Sequence, residues 1–297
     1  MNSRILVSGT SGLIGTALLP SLRTNGSSVV RLVRGPAKSD DQISWDPSKP
    51  LNPALISGFD AVIHLAGESI MGRWTAAKKS KIHHSRVNGT LNLSHALANA
   101  EEKPRVFICG SAIGYYGDRS DELLREESAP GTGFLAEVCQ EWEEATTPAV
   151  QADIRTAHIR TGVVLSPNGG ALKAMLLPFK MGLGGRTGSG RQWMSWIDIR
   201  DMVGAMHHIL KNDLIQGPVN MVAPKPVMNA EFAKTLASVI SRPAIFPMPA
   251  FMVKTIFGEM GEQLLLASQK VEPGKLISSG YPFRFRDLRA SLEALLR

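Results

Sequence analysis

A chain of 297 residues with 43% hydrophobic side chains is long enough for a full doubly wound domain and a smaller second one. No run approaches the roughly eighteen uninterrupted apolar residues of a membrane span, so a soluble, cytoplasmic protein with no membrane partner is expected. The net charge of +7 would suit nucleic acid, but the densest basic run, Lys78 to Arg86, has helical spacing and no interleaved aromatic residue on which bases could stack. That run reads as a solvated helix face, with no nucleic-acid partner.

The first element is a strand, Arg4 to Ser8, running into Gly9-Thr10-Ser11-Gly12-Leu13-Ile14-Gly15 and a helix from Ile14 to Thr24. In that context Gly9 permits the tight turn, Gly12 lets the backbone approach a pyrophosphate, and Gly15 lets helix pack on strand. The helix start offers unpaired N–H groups and a positive dipole end to phosphates. A second strand, Ser28 to Val33, ends at Arg34, nineteen residues after Gly15, with Arg31 close by and no acidic residue before Asp40. A carboxylate there would bind the ribose hydroxyls of NAD(H). Arginine instead favours a 2′-phosphate, so the expected cofactor is NADP(H), with Val33 and Arg34 at its adenosine end.

Further strands are read at Asp60 to Leu65, Arg105 to Gly110 and Arg155 to Leu165, with helices at Ala76 to Ala100 and Leu135 to Thr146. Ile82, Leu91 and Leu93 are the inward positions of the longer helix. Apolar strands alternating with helices predict an α/β fold, a Rossmann-type doubly wound parallel sheet over residues 1–165. Residues 166–297 form a smaller C-terminal α+β substrate lobe, from which 193–223 can return to the sheet.

The lobe opens with a glycine-rich stretch to Arg191, around the apolar run Ala171 to Phe179. As a mobile loop it would let Arg191 clamp an anionic substrate group and Trp193 stack on a ring. Trp196 to Ile199 reads as a short strand, Asp201 as the cap of the next helix, and Met202, Val203 and Met206 as core. Helices follow at Asn229 to Ile240, Ala250 to Leu266 and Leu288 to Leu296. Cys109 and Cys139 lack a CxxC pattern and read as structural, and the seven histidines include two adjacent pairs that cannot share one face, so no metal site is expected.

Asp60-Ala61-Val62-Ile63-His64-Leu65-Ala66-Gly67 resembles the third-strand motif of extended short-chain dehydrogenase/reductases. Trp45-Asp46-Pro47, Leu65-Ala66-Gly67-Glu68, Arg73-Trp74-Thr75, Gly114-Tyr115-Tyr116-Gly117 and Arg160-Thr161-Gly162-Val163-Val164-Leu165 are similar to one atypical branch, the epimerase family proteins. Gln269 to Pro273 and Gly280 to Phe283 resemble the C-terminal segment peculiar to that branch, beginning near residue 245. The resemblance implies that Leu65, Ala66, Gly67, Glu68, Arg86 and Gly110 line the cofactor cleft, with Val163 and Val164 at the nicotinamide end. Read from the residues alone, the alternative is that Glu68 caps a turn and Arg86 belongs to the solvated basic face.

In that superfamily hydride transfer uses a Ser or Thr after the fourth strand and a Tyr followed four residues later by Lys, which lowers the tyrosine pKa. Ser111 stands where the serine belongs, but the Tyr and Lys positions fall on Phe134 and Val138, which move no proton. Tyr115 and Tyr116, on the loop after Ser111, are the substitute acids to consider, with packing of that loop as the plainer role. The expected function is that of an NADP(H)-binding epimerase or reductase acting on a small carbonyl or nucleotide-sugar substrate through a non-standard acid. The alternative is an NADP-binding redox sensor without turnover. The long helices flanking the sheet are candidates for a homodimer interface.

Overall fold

The computed structural model describes residues 3–297. β1 (Arg4–Ser8) leads into α1 (Leu13–Thr24), followed by β2 (Ser28–Val33), β3 (Gln42–Ser44), β4 (Ala61–His64) and the long α2 (Ala76–Ala98). Next come β5 (Val106–Ala112), β6 (Leu123–Leu124), α3 (Phe134–Glu144), α4 (Thr147–Gln151), β7 (Arg155–Thr161) and β8 (Val163–Leu165). The C-terminal half holds α5 (Gly170–Lys180), β9 (Trp193–Met194), β10 (Trp196–Asp198), α6 (Ile199–Lys211), β11 (Gly217–Met221), β12 (Val227–Met228) and α7 (Asn229–Val239). It ends with α8 (Ala250–Phe257), β13 (Lys270–Val271) and a helix at Leu288–Leu296.

Seven strands form one sheet in the order β11-β7-β5-β4-β1-β2-β3, and every pairing is parallel. Strand residues alternate between two cores, as a two-residue period requires. Ile5, Val7 and Ile63 join Leu18 of α1 and Met202 and Met206 of α6, whereas Leu6, Val62 and Phe107 join Leu93 of α2 and Trp142 of α3. Both faces are covered by helices, so the fold is the doubly wound Rossmann-type sheet, and the carboxyl ends of all its strands open on one edge.

Several elements depart from their expected form. The strand read as Arg155 to Leu165 divides at Gly162, where a Cβ would meet the Ser195 carbonyl oxygen and Val222 Cγ1 at 2.6 Å. Val163 donates to the Ser195 carbonyl at 2.9 Å, and β8 leaves the sheet to pair with β10. The helix read as Ala250 to Leu266 breaks at Gly258, whose φ of 58° no helix continues, resumes at Glu259–Gly261 and ends in a π-helical turn at Glu262–Leu266. Leu91 is 37% exposed rather than inward, while Ile82 and Leu93 are fully buried. Asp201 does not cap α6. Asp198 does, accepting from Arg200 N at 2.9 Å, while the buried Asp201 accepts from the backbone of Arg284 and Phe285 and from the Tyr281 hydroxyl. β3 and β11 are sheet strands that no expectation had placed individually. β11, within the 193–223 stretch, lies along β7.

Candidate functional site

The glycine loop sits at the open edge of the sheet. Gly9 has a φ of 71°, and a Cβ on it would meet the Leu65 carbonyl carbon at 2.5 Å and Ala66 N at 2.6 Å, so the loops after β1 and β4 pass backbone to backbone. Gly15 is buried, and a Cβ there would strike the Gly9 carbonyl oxygen and Thr10 Cα. Gly12 differs from both. It is exposed, its backbone is extended (φ −76°, ψ 171°), and a Cβ would meet only the Gly9 oxygen, at 3.3 Å. No side chain caps α1, so the amides of its first turn, at Leu13, Ile14 and Gly15, face the mouth formed by Thr10, Ser11 and Gly12.

Beside this loop, Val33 ends β2 and Arg34 is exposed. Glu68 is held below the ordinary carboxylate pKa chiefly by Lys78, whose Nζ donates to it at 2.6 Å, with Lys81 and Arg34 adding to the effect. Glu68 is thus paired with Lys78, whereas Arg34 forms no ion pair among the described residues. Arg86 does not belong to the solvated face. Its guanidinium lies against Gly67, where a Cβ would sit 3.3 Å from Cζ, and 5.1 Å from the Trp142 ring centre. It donates to the carbonyls of Glu68 (2.9 Å) and Ile82 (3.2 Å), and burial lowers its basicity. Lys79 and His83 are likewise engaged, by Glu259 and Glu141. Gly110 has a local explanation: a Cβ would lie 2.8 Å from the Trp142 ring, so the glycine lets α3 approach β5.

Under the loop, Ser8 Oγ and His64 Nδ1 lie 2.6 Å apart, and His64 Nε2 is buried without a hydrogen-bond partner. Burial pulls the imidazole pKa down to about 4, so His64 is neutral in the folded protein. An unfolded histidine titrates near 6.5 and takes up its proton first, so stability present above that pH is lost as pH falls toward 4, by on the order of 3 kcal/mol. Urea unfolding at pH 7 and pH 4.5 should show that loss, and His64→Asn should reduce the difference between the two.

Where β5 and β7 end, a buried polar network takes in the three residues expected to do chemistry. Arg160 Nε and Nη2 each donate to Glu143 at 2.8 Å, and Ser111 Oγ donates to the same carboxylate at 2.7 Å. Burial opposes the Arg160 charge, but its bonds to Glu143 outweigh that and raise its basicity. Arg160 Nη1 donates to the Tyr116 hydroxyl at 3.0 Å, and that hydroxyl donates to Asn220 Oδ1 at 2.7 Å. Tyr116 is fully buried, and burial pushes its pKa up to about 12. The geometry therefore removes Tyr116 from the acids that could serve near neutral pH. Tyr115 is half-buried, with the Arg160 guanidinium 3.5 Å over its ring.

Phe134 and Val138 open α3 in an apolar cluster with Trp74, Ile82 and Met260, so the C-terminal segment covers this part of the helix. Gln263 completes the seal, accepting from Leu135 N at 3.0 Å. Gln269 donates to the carbonyls of Ile113 and Gly117, bracketing the turn that carries both tyrosines. These two glutamines escaped sequence reading because nothing local marks them. Arg160 could have been flagged, since a charge within an apolar strand must find a partner.

Arg191 is exposed, with only its backbone engaged, on Ser189 Oγ. Trp193 donates from Nε1 to Asp121 at 2.7 Å, carries Lys270 Nζ 4.5 Å over its ring, and lines a cleft of about 580 Å³ with Lys225, Glu231 and Arg289. None of these partners belongs to the glycine loop or to the ends of β2 and β4. Val163 and Val164 pack along β10, where Gly169 and Gly170 approach Leu13 of the glycine loop. Both cysteines are buried and free, and no group of metal-ligating side chains occurs among the described residues.

Residues 5–222 match the NAD dependent epimerase/dehydratase family, and residues 248–295 match a domain of unknown function (DUF1731). The chain is 40% identical over 293 residues to epimerase family protein Mb2239 of Mycobacterium bovis, covering 98% of this chain and 97% of that one. The crystal structure of human epimerase family protein SDR39U1 (isoform 2) with NADPH superimposes with a TM-score of 0.91 at 34% identity, over 98% of each chain. A nucleoside-diphosphate sugar epimerase from Corynebacterium glutamicum superimposes with a TM-score of 0.84 at 37% identity, over all of this chain and 58% of that one.

Proposed function

The chain belongs to the NAD dependent epimerase/dehydratase family, and from that premise we propose that it is an NADP(H)-dependent oxidoreductase or epimerase acting on a carbonyl or nucleotide-sugar substrate. The observation that carries the cofactor choice is the exposed Arg34 at the end of β2, free of any ion pair among the described residues, while the nearby Glu68 carboxylate is paired with Lys78. The residues present fit a dinucleotide: Gly12 is exposed at the mouth of the loop, with only the Gly9 carbonyl oxygen near the place a Cβ would take, and the uncapped amides of α1 lie beside it. Gly9 to Gly15 would hold the pyrophosphate, Leu65 to Gly67 the adenosine side, Arg34 the 2′-phosphate, and Val163 and Val164 the far end. Bound there, NADP(H) would supply a hydride donor or acceptor. The structure of the human relative was determined with NADPH.

The chain's own contribution is unusual for the superfamily. With Phe134 and Val138 in an apolar cluster and Tyr116 locked to Asn220, α3 offers no acid at these positions. Tyr115 is then the phenol left to exchange a proton with substrate, with Ser111 held in place by Glu143. The apolar cover on α3 also favours a second reading, an NADP(H)-binding sensor of redox state without turnover. Following NADPH absorbance against a panel of sugar nucleotides, aldehydes and quinones, together with chromatography of the sugar nucleotides for epimerised product, separates the two, since epimerisation oxidises no net NADPH. Oxidation or epimerisation that falls at least about tenfold in Tyr115→Phe supports the first reading. Unchanged turnover in that variant removes Tyr115 as the acid, and binding with a conformational change and neither reaction supports the sensor.

No helix among the described residues is long and apolar enough to cross a membrane, and a cytoplasmic setting is part of the proposal. So is a homodimer through α2 and α3. The exposed residues of α2 include Lys81 and those of α3 Glu137, Glu141 and Glu144, so such an interface would hold charges of opposite sign.

A further inference from the structure

Away from the crevice, α7 and the segments on either side of it enclose a groove of about 680 Å³. Ala230, Ala233 and Ala237 of α7 form one wall, with Ala230 exposed and the other two buried at its floor, and the exposed Ile245 and Pro247 form another. Small residues there allow a second backbone to come close. Three cations line the groove, Arg186, Lys234 and Arg242, and no carboxylate does. The bonds the two arginines make go to neutral carbonyls, of Ser189, Lys180 and Ser241. The charge of this wall is left for something else to balance.

The cations are strung along the groove rather than gathered at one point. Arg186 lies beside Ala230, since a Cβ on Gly190 would touch both side chains. Lys234 follows one turn later, and Arg242 lies beyond the end of α7. From Ala230 to Ser238 the helix rises about 12 Å, so successive charges stand roughly a helical turn or two apart. A single phosphate or carboxylate would use only one end of such a row. Apolar surface also continues past the groove, with Ile245 70%, Leu183 55% and Phe246 53% exposed, the last two held side by side by a bond from Phe246 N to the Gly184 carbonyl. A concave site with this extent suits an inserted protein element better than a flat lipid surface.

We propose that this groove docks an acidic amphipathic helix of a partner protein. The helix lies along α7, places its apolar face on Ala230, Ile245 and Pro247, and sets carboxylates one turn apart against Arg186, Lys234 and Arg242. The probe is a fluorescent helical peptide of about 18 residues, with leucines along one face and glutamates beside them at three- and four-residue intervals. Its controls are a peptide of scrambled order and phosphatidylglycerol vesicles. Anisotropy titrations of the intact chain should show binding that weakens with salt and falls at least about tenfold in Arg186→Glu/Lys234→Glu/Arg242→Glu. Hydrogen exchange should slow over α7. Lys234→Glu alone, at an exposed position, should weaken binding measurably without endangering the fold. NADPH binding should be unchanged in both variants, which separates this proposal from the function proposed above. Absence of peptide binding, equal binding of the scrambled peptide, equal binding by the triple variant, or dependence of vesicles rather than peptide on these residues would overturn it.

Discussion

Gly12→Val should leave the melting temperature within about 2 °C of the parent while weakening NADPH binding by at least about 100-fold. The two effects separate because this glycine is exposed, has a backbone any residue adopts, and has no protein atom closer than 3.3 Å to a prospective Cβ. The Cβ of a valine there needs the Gly9 carbonyl oxygen to give by only a few tenths of an ångström, and its methyl groups meet the cofactor. Gly15→Val should do the reverse first. Its added carbons run into the backbone of Gly9 and Thr10 in a buried position, and overpacking of that kind costs about 2–3 kcal/mol. Thermal unfolding together with a fluorescence titration of NADPH checks both variants. A Gly12→Val protein that binds NADPH like the parent would place the dinucleotide elsewhere.

Glu143→Leu should destabilise the protein by about 3–5 kcal/mol, because it leaves the Arg160 guanidinium buried without its carboxylate. In a chain of 297 residues that corresponds to a fall of about 5–8 °C in melting temperature. The double variant Glu143→Leu/Arg160→Met should recover part of the loss, since removing both charges abolishes the unpaired one. Losses that simply add would show that the two side chains do not act as a pair. The network also joins the two halves of the chain. Arg160 reaches Tyr116 and the Glu126 carbonyl, Glu126 accepts from Asn220 N and Lys275 N, and Asn220 donates to the Glu272 carbonyl. Breaking it should therefore loosen the loop of Tyr115 together with the C-terminal segment.

The features legible in the sequence are those whose causes are local. β1 and β2 were read to the residue because an apolar run bounded by glycine, or by a polar turn, needs no knowledge of its neighbours. The jobs of Gly9 and Gly15 were readable for the same reason, since each answers a backbone constraint within the loop or against the strand beside it. β3 and β11 escaped because edge strands of three and five residues, one beginning Gly-Pro, carry no long apolar signature. The division of β7 from β8 depends on where the chain near Ser195 passes, which position 162 alone does not disclose. Arg160 was quoted only as part of a motif, although its partners lie 17, 34 and 44 residues away in sequence. Tyr116 looked available on a loop at the right end of the sheet, and only the packing of Asn220 and Arg160 against it shows that its proton is held.

The central claim is that the crevice between Gly9–Gly15 and Arg34 holds a dinucleotide and selects the one bearing a 2′-phosphate. Calorimetric titration of the intact protein with NADPH and with NADH tests it most directly. Charge-assisted bonds to that phosphate predict NADPH binding about 10- to 100-fold tighter, an advantage that disappears in Arg34→Ala. Equal affinity for the two cofactors, or an NADPH preference that survives the loss of Arg34, would contradict it.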